Sequence, residues 1–250
     1  ATQTQALALH VAWEDATNLI SDNQSTAAQP GKWLLLGQET ATMTQALTAA
    51  LQAANQPVCA LAPLSDCSND GAANPALLKQ VLDPDLTGIV IIPGDPSAVE
   101  LPNELHALTA LLAQLTQRPS PVPVWVIGQR WGSVNLPAYR GALKSIRLNK
   151  GGNTSGGVIE CRSDSMGPVV KILLSDTTED WWCVEQQGDG KPHTAQHRVS
   201  VARLKPLPPN QTRSSLARQA SYLVSGGLGG LGLALAAALA ALTIRGLGRA

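Results

Sequence analysis

Short apolar runs alternate with stretches of helical periodicity through the first two-thirds of the chain, the pattern that βαβ units make around a mostly parallel sheet. The run Lys32-Trp33-Leu34-Leu35-Leu36-Gly37 predicts the first clear buried strand, and Met43 to Ala54, rich in alanine and leucine, predicts the helix after it. Strands are then expected at 57–61, 87–93, 123–128 and 157–161. Helices are expected near 75–82, over 102–117 and over 137–148. In the second of these, Leu105, Leu108, Leu111, Leu112 and Leu115 recur at spacings of three and four, which places one apolar stripe on the helix. The fold class that follows is α/β.

The character changes after residue 180. Trp181-Trp182-Cys183-Val184-Glu185 and 197–204 are both β-rich, and Gly188-Asp189-Gly190 between them is turn chemistry, so a hairpin is expected at the sheet edge. Lys205 to Ala220, with Pro206, Pro208, Pro209 and Asn210, reads as a linker. A new element begins at Ser221.

That element carries the strongest chemical signal in the chain. Ser225-Gly226-Gly227-Leu228-Gly229-Gly230-Leu231-Gly232 contains Gly-x-Gly-x-x-Gly at Gly227, Gly229 and Gly232, after the apolar Tyr222-Leu223-Val224 and before the alanine-rich Leu233 to Leu242. Glycines allow a tight turn and close backbone approach to a pyrophosphate, and the free N–H groups of the next helix attract the anion. The same residues fit Thr/Ser-Gly-x-x-x-Gly-x-Gly at Ser225, Gly226, Gly230 and Gly232. Leu223 to Ile244 is also 22 residues without a charge, long enough for a membrane span. Five glycines in its first half argue against one continuous helix, so strand, loop and helix is the preferred reading over a membrane anchor.

Composition narrows the function classes. Lys+Arg and Asp+Glu are both 18, giving zero formal charge, and no basic stripe is interleaved with aromatics, so neither nucleic acid nor an anionic membrane is favoured as partner. Charged residues are 14% against an ordinary value of roughly 25%, which suits a module packed inside a larger assembly. The cysteines, Cys59, Cys67, Cys161 and Cys183, are scattered rather than clustered, as expected of reduced thiols in the cytoplasm. The opening Ala-Thr-Gln-Thr-Gln has neither a start methionine nor a signal sequence, the beginning expected of a piece of a longer polypeptide.

With these segments in hand, the sequence resembles the ketoreductase region of type I polyketide synthases. Residues 221–234 look like the start of that family's NADPH-binding catalytic subdomain, of the short-chain dehydrogenase/reductase type. Upstream, Leu9-His10-Val11-Ala12-Trp13-Glu14, Gly31 to Leu36, Leu86 to Val90, Val124 to Ile127, Gly141 to Arg147, Gly156 to Ile159 and Val201-Ala202-Arg203-Leu204 follow in the order of its structural subdomain. The resemblance implies two Rossmann-like halves, the first blind to nucleotide and bracing the second. The expected organisation is a structural subdomain over 1–208, a linker over 209–220 and the first βα unit of a dinucleotide-binding subdomain over 221–250, within a truncated parallel sheet.

The resemblance also implies a cofactor and partners. NADPH would be held through Ser225 to Gly232, with no binding expected of this chain alone. The partners would be other domains of one synthase: the catalytic ketoreductase subdomain, an enoylreductase or dehydratase, and an acyl carrier protein. The family's catalytic tyrosine, serine, lysine and asparagine lie beyond the first helix of the catalytic half, so no catalytic residue is carried onto this chain. A pseudo-ketoreductase parent therefore stays open beside an active one. In the first half, the turn Gly37-Gln38-Glu39-Thr40-Ala41 lacks the glycine spacing and sets an anionic Glu39 where a phosphate would sit.

Other constellations receive plainer readings. His193 and His197 with Cys183 nearby lack a Cys-x-x-Cys partner, so a solvated hairpin is preferred to zinc and no metal site is expected. Tyr139 and Lys144 are five apart, not the four of the reductase pair, and Tyr139 reads as packing. Asp95, after the third strand, reads as a turn residue that caps the next helix. Arg245 and Arg249 read as charges at a helix C-terminus rather than contacts to a 2′-phosphate. Trp181-Trp182 is expected to supply one core side chain and one interdomain contact. A compact NADP-dependent oxidoreductase, in which 226–232 serves the first 200 residues, is the enzymatic alternative.

Overall fold

The computed structural model describes residues 9–20, 30–37, 41–67, 75–94, 101–129, 136–149, 155–162, 164–187, 196–206 and 233–234. The chain divides into two compact units. The larger, Val11–Arg203, holds nearly every described element. In the smaller, Ala1–His10 with Leu204–Ala250, the described residues are strand tips and the helical pair Leu233 and Ala234.

The apolar runs become strands: β1 (Leu9–Asp15), β2 (Lys32–Leu36), β3 (Val58–Ala62), β4 (Leu86–Ile91), β5 (Val124–Gly128), β6 (Gly156–Glu160), β7 (Trp181–Gln187) and β8 (Gln196–Pro206). Between them lie α1 (Thr42–Ala53), α2 (Pro75–Val81), α3 (Leu101–Leu115), α4 (Leu136–Asn149) and α5 (Met166–Leu174). The sheet runs β1-β8-β7-β6-β5-β4-β2-β3. From β3 to β7 all neighbours are parallel, and β7 and β8 form an antiparallel hairpin at the end opposite β3, with β1 lying outside it.

Central strands of a parallel sheet are covered on both faces, which is why they read as unbroken apolar runs instead of alternating ones. Trp33 and Leu35 of β2, Val90 of β4, Trp125 and Ile127 of β5 and Ile159 of β6 point into a core filled by Met43, Leu47 and Leu51 of α1 and Val169, Ile172 and Leu173 of α5. Leu34 and Leu36, Ile89 and Ile91, Val124 and Val126, and Val158 point the other way, onto α2, α3 and α4. The period-two alternation of the pleat thus divides one hydrophobic run between two cores.

Helix α5 is not among the elements the sequence pattern predicted. Gly167-Pro168 near its start reads locally as a break, yet proline is tolerated in a first turn, where its missing N–H would have had no helical partner. The helix also sets the hand of its connection. The sheet advances from β4 through β5 to β6 with α3 and α4 on one face, and advances again to β7 with α5 on the other. The β6-α5-β7 connection is therefore of opposite hand to β4-α3-β5 and β5-α4-β6, a rare arrangement among parallel crossovers.

Two local devices set the register. Asn55, at φ 56°, ends α1 in the left-handed region, and the Gln56 N–H returns to the Leu51 carbonyl at 2.9 Å. The Gln56 side-chain oxygen then accepts from the Gly31 N–H at 3.1 Å and the Trp33 indole at 3.3 Å, tying the end of α1 to the start of β2. At β6, Gly156 has φ +105°, and a Cβ there would overlap the Val124 backbone, so only glycine lets β6 enter beside β5.

Candidate functional site

Strand β2 is flanked by β3 on one side and β4 on the other, so the chain leaves it in opposite directions. Open α/β sheets hold ligands in the crevice beyond the carboxyl ends of the strands at such a switch point. Here the described strand ends at that point are tied to one another. The Gly37 N–H donates to the Ala62 carbonyl and the Ile92 N–H to the Leu36 carbonyl, both at 2.8 Å, so strand pairing continues past the end of β2. A side chain at Gly37 would come within 3.0 Å of the Ile92 carbonyl oxygen and 3.3 Å of Thr44 Oγ1. The first turn of α1 buries Met43 and Thr44, has no acidic residue, and starts at Ala41 without a side-chain cap. Glu39 and Asp95 lie outside the described residues.

The thiols near this sheet are poor nucleophiles. Burial pushes Cys161, just past β6, and Cys67, after β3, each up to about 12, so neither forms thiolate at neutral pH. Burial also raises Cys59, whose Sγ donates to the Trp33 carbonyl at 3.4 Å.

Tyr139 and Lys144 are not brought together as a reductive pair. Tyr139 is fully buried in the core under α4 and its hydroxyl donates to the Glu104 carboxylate of α3. Lys144 instead reaches Asp180 at 3.7 Å. Cys183 is buried in β7, and His197 is half-buried beside a groove of about 490 Å³ between α5, the 3-10 turn Thr17–Ile20 and β8. His193 lies outside the described residues. Among the described residues no three His, Cys, Asp or Glu side chains are grouped to hold a metal ion.

A polar and aromatic network that sequence reasoning missed sits at the opposite end of the strands, around the start of β7. Trp182 is core. Trp181 is partly buried: its indole donates to Glu160 at 2.7 Å, Trp13 of β1 meets it edge-on at 5.2 Å, and the Arg140 guanidinium lies 4.4 Å above its ring. Among the described residues these contacts of Trp181 lie within its own unit. Arg140 also pairs with Asp180 at 3.3 Å. Arg203 of β8 forms a fork with both oxygens of Glu179 and approaches Glu14 of β1 at 3.8 Å. Hydrogen bonding to Glu179 raises the Arg203 pKa further, so its charge is permanent. Only the spacing of Trp181 and Arg203 in a β-rich segment hinted at this brace between β1, β7 and β8.

The expected nucleotide loop, Ser225, Gly226, Gly227, Leu228, Gly229, Gly230, Leu231 and Gly232, lies outside the described residues, as do Arg245 and Arg249. Leu233 and Ala234, immediately after it, are helical. Among the described residues no helix is long and apolar enough to cross a membrane.

No protein-family profile matches the chain, and no curated protein sequence does. Solved structures do. An N-terminal ketoreductase from the macrolactin assembly line superposes with a TM-score of 0.51 at 11% identity, over 91% of this chain and 49% of that one. The first ketoreductase of the tylosin polyketide synthase gives 0.51 at 15% identity, over 90% and 46%. The chain spans about half the length of these structures, and at such identities the likeness is one of fold: a Rossmann-like α/β fold with a mostly parallel sheet, similar to part of these ketoreductases.

Proposed function

We propose that this chain is the structural half of a polyketide-synthase ketoreductase, joined to the opening βα unit of its NADPH-binding half. The observation that carries the reading is a mostly parallel sheet covered on both faces, similar in fold to solved ketoreductases over only half their length. Beside it stands the glycine pattern at 225–232, which the sequence places after the last strand of that sheet. In this reading residues 1–208 are the brace, 209–220 the linker and 221–250 the start of the dinucleotide-binding subdomain.

The strand pairing at the end of β2 supports a first half that does not take nucleotide. The Gly37 N–H is given to the Ala62 carbonyl, so that donor is not offered to an anion, and the sequence after it lacks the glycine spacing of a pyrophosphate turn. Residues 225–232 would instead cradle the pyrophosphate of NADPH, which when bound supplies a hydride to a β-ketoacyl thioester. The acid and base for that reduction would come from residues outside this chain. The neighbouring catalytic subdomain, an enoylreductase or dehydratase and an acyl carrier protein are the partners this role implies, in the cytoplasm.

The test is a reductase assay on the full chain with NADPH and a β-ketoacyl thioester. No consumption of NADPH is expected, and measurable turnover would overturn the structural role. A parallel NADPH titration separates the enzymatic alternative: tight, saturable binding that disappears in Gly230→Asp would favour a compact oxidoreductase.

A further inference from the structure

We draw no further inference here: the strongest candidate, the mostly apolar groove between α5, the 3-10 turn and β8 lined by Ile20, Pro168 and Val199 with Lys171 and His197 beside them, is an unpartnered apolar face, and nothing in the structure shows what covers it.

Discussion

The indole of Trp33 in β2 fills the space that a side chain at Gly88 in β4 would need. The two residues are register partners on neighbouring parallel strands, and a Cβ at position 88 would overlap ring atoms Cζ3 and Cη2. Trp33 is 1% exposed and held by Gln56, so the ring has nowhere to retreat. Gly88→Ala is expected to destabilise the domain by about 1–3 kcal/mol, the range for overpacked cores. Urea unfolding of the variant checks this. In Gly88→Ala/Trp33→Leu the cost of the alanine should shrink, giving a favourable coupling in the double-mutant cycle. Simple additivity would mean the two residues do not compete for space.

Arg118, between α3 and β5, donates Nη1 to the carbonyls of Val81 and Asp83 at 2.8 and 2.6 Å, and Nη2 to that of Leu86 at 3.4 Å. It is 7% exposed, so the end of α2 and the start of β4 are joined through one buried cation. Arg118→Met should leave these carbonyls without their donor and cost about 3 kcal/mol. Arg118→Lys keeps the charge but loses the fork and should recover only part of that loss. Equal midpoints for Lys and Arg in a denaturant titration would count against the fork.

Gly141 sits within α4 with open space around its Cα. Glycine inside a helix is less favourable than alanine because it loses more backbone freedom on folding. Gly141→Ala should therefore stabilise the domain by about 0.5–1 kcal/mol and raise Tm by about 1–4 °C. A lower Tm in thermal unfolding would mean that another surface closes on this helix face.

The buried thiols predict an alkaline limit. Cys67 and Cys161 have folded pKa values of about 12 against an ordinary 9.0. Below pH 9 both states hold the proton and stability is unaffected. As pH climbs through that window the unfolded chain releases protons that the folded chain retains, so stability falls. The urea midpoint of the wild type should drop more steeply with pH over this range than that of Cys67→Ala/Cys161→Ala. Parallel profiles would show the thiols to be unperturbed. With a bulky thiol reagent, half-buried Cys59 should react first and the three buried thiols, Cys67, Cys161 and Cys183, only on unfolding.

Most of the sheet was legible in the sequence because each central strand is a short apolar run bounded by glycine, proline or polar residues. The strands Lys32–Leu36 and Val124–Gly128 lie within one residue of the expected 32–37 and 123–128. The packing of Tyr139 was legible too, since its spacing from Lys144 did not suit a helix-face pair. Helix α5 escaped because Gly167-Pro168 breaks a helix anywhere except in its first turn, and only the fold shows that this is the first turn. The network around Trp181 escaped for another reason. Trp13, Arg140, Glu160 and Arg203 are far apart in the chain and share no local pattern.

Local rules thus decided which segments became strands and helices, that the strands needed cover on both faces, and where the glycine pattern stands in the chain. Strand order, the crossing of α5 to the face of α1, the burial of Trp33 against Gly88 and the pairing of Gly37 with Ala62 belonged to the tertiary structure alone. Hydrophobic periodicity records how much of a segment must leave water, not which partner removes it. That choice depends on contacts between residues distant in sequence, where backbone packing and side-chain volume select one arrangement from several that bury the same surface.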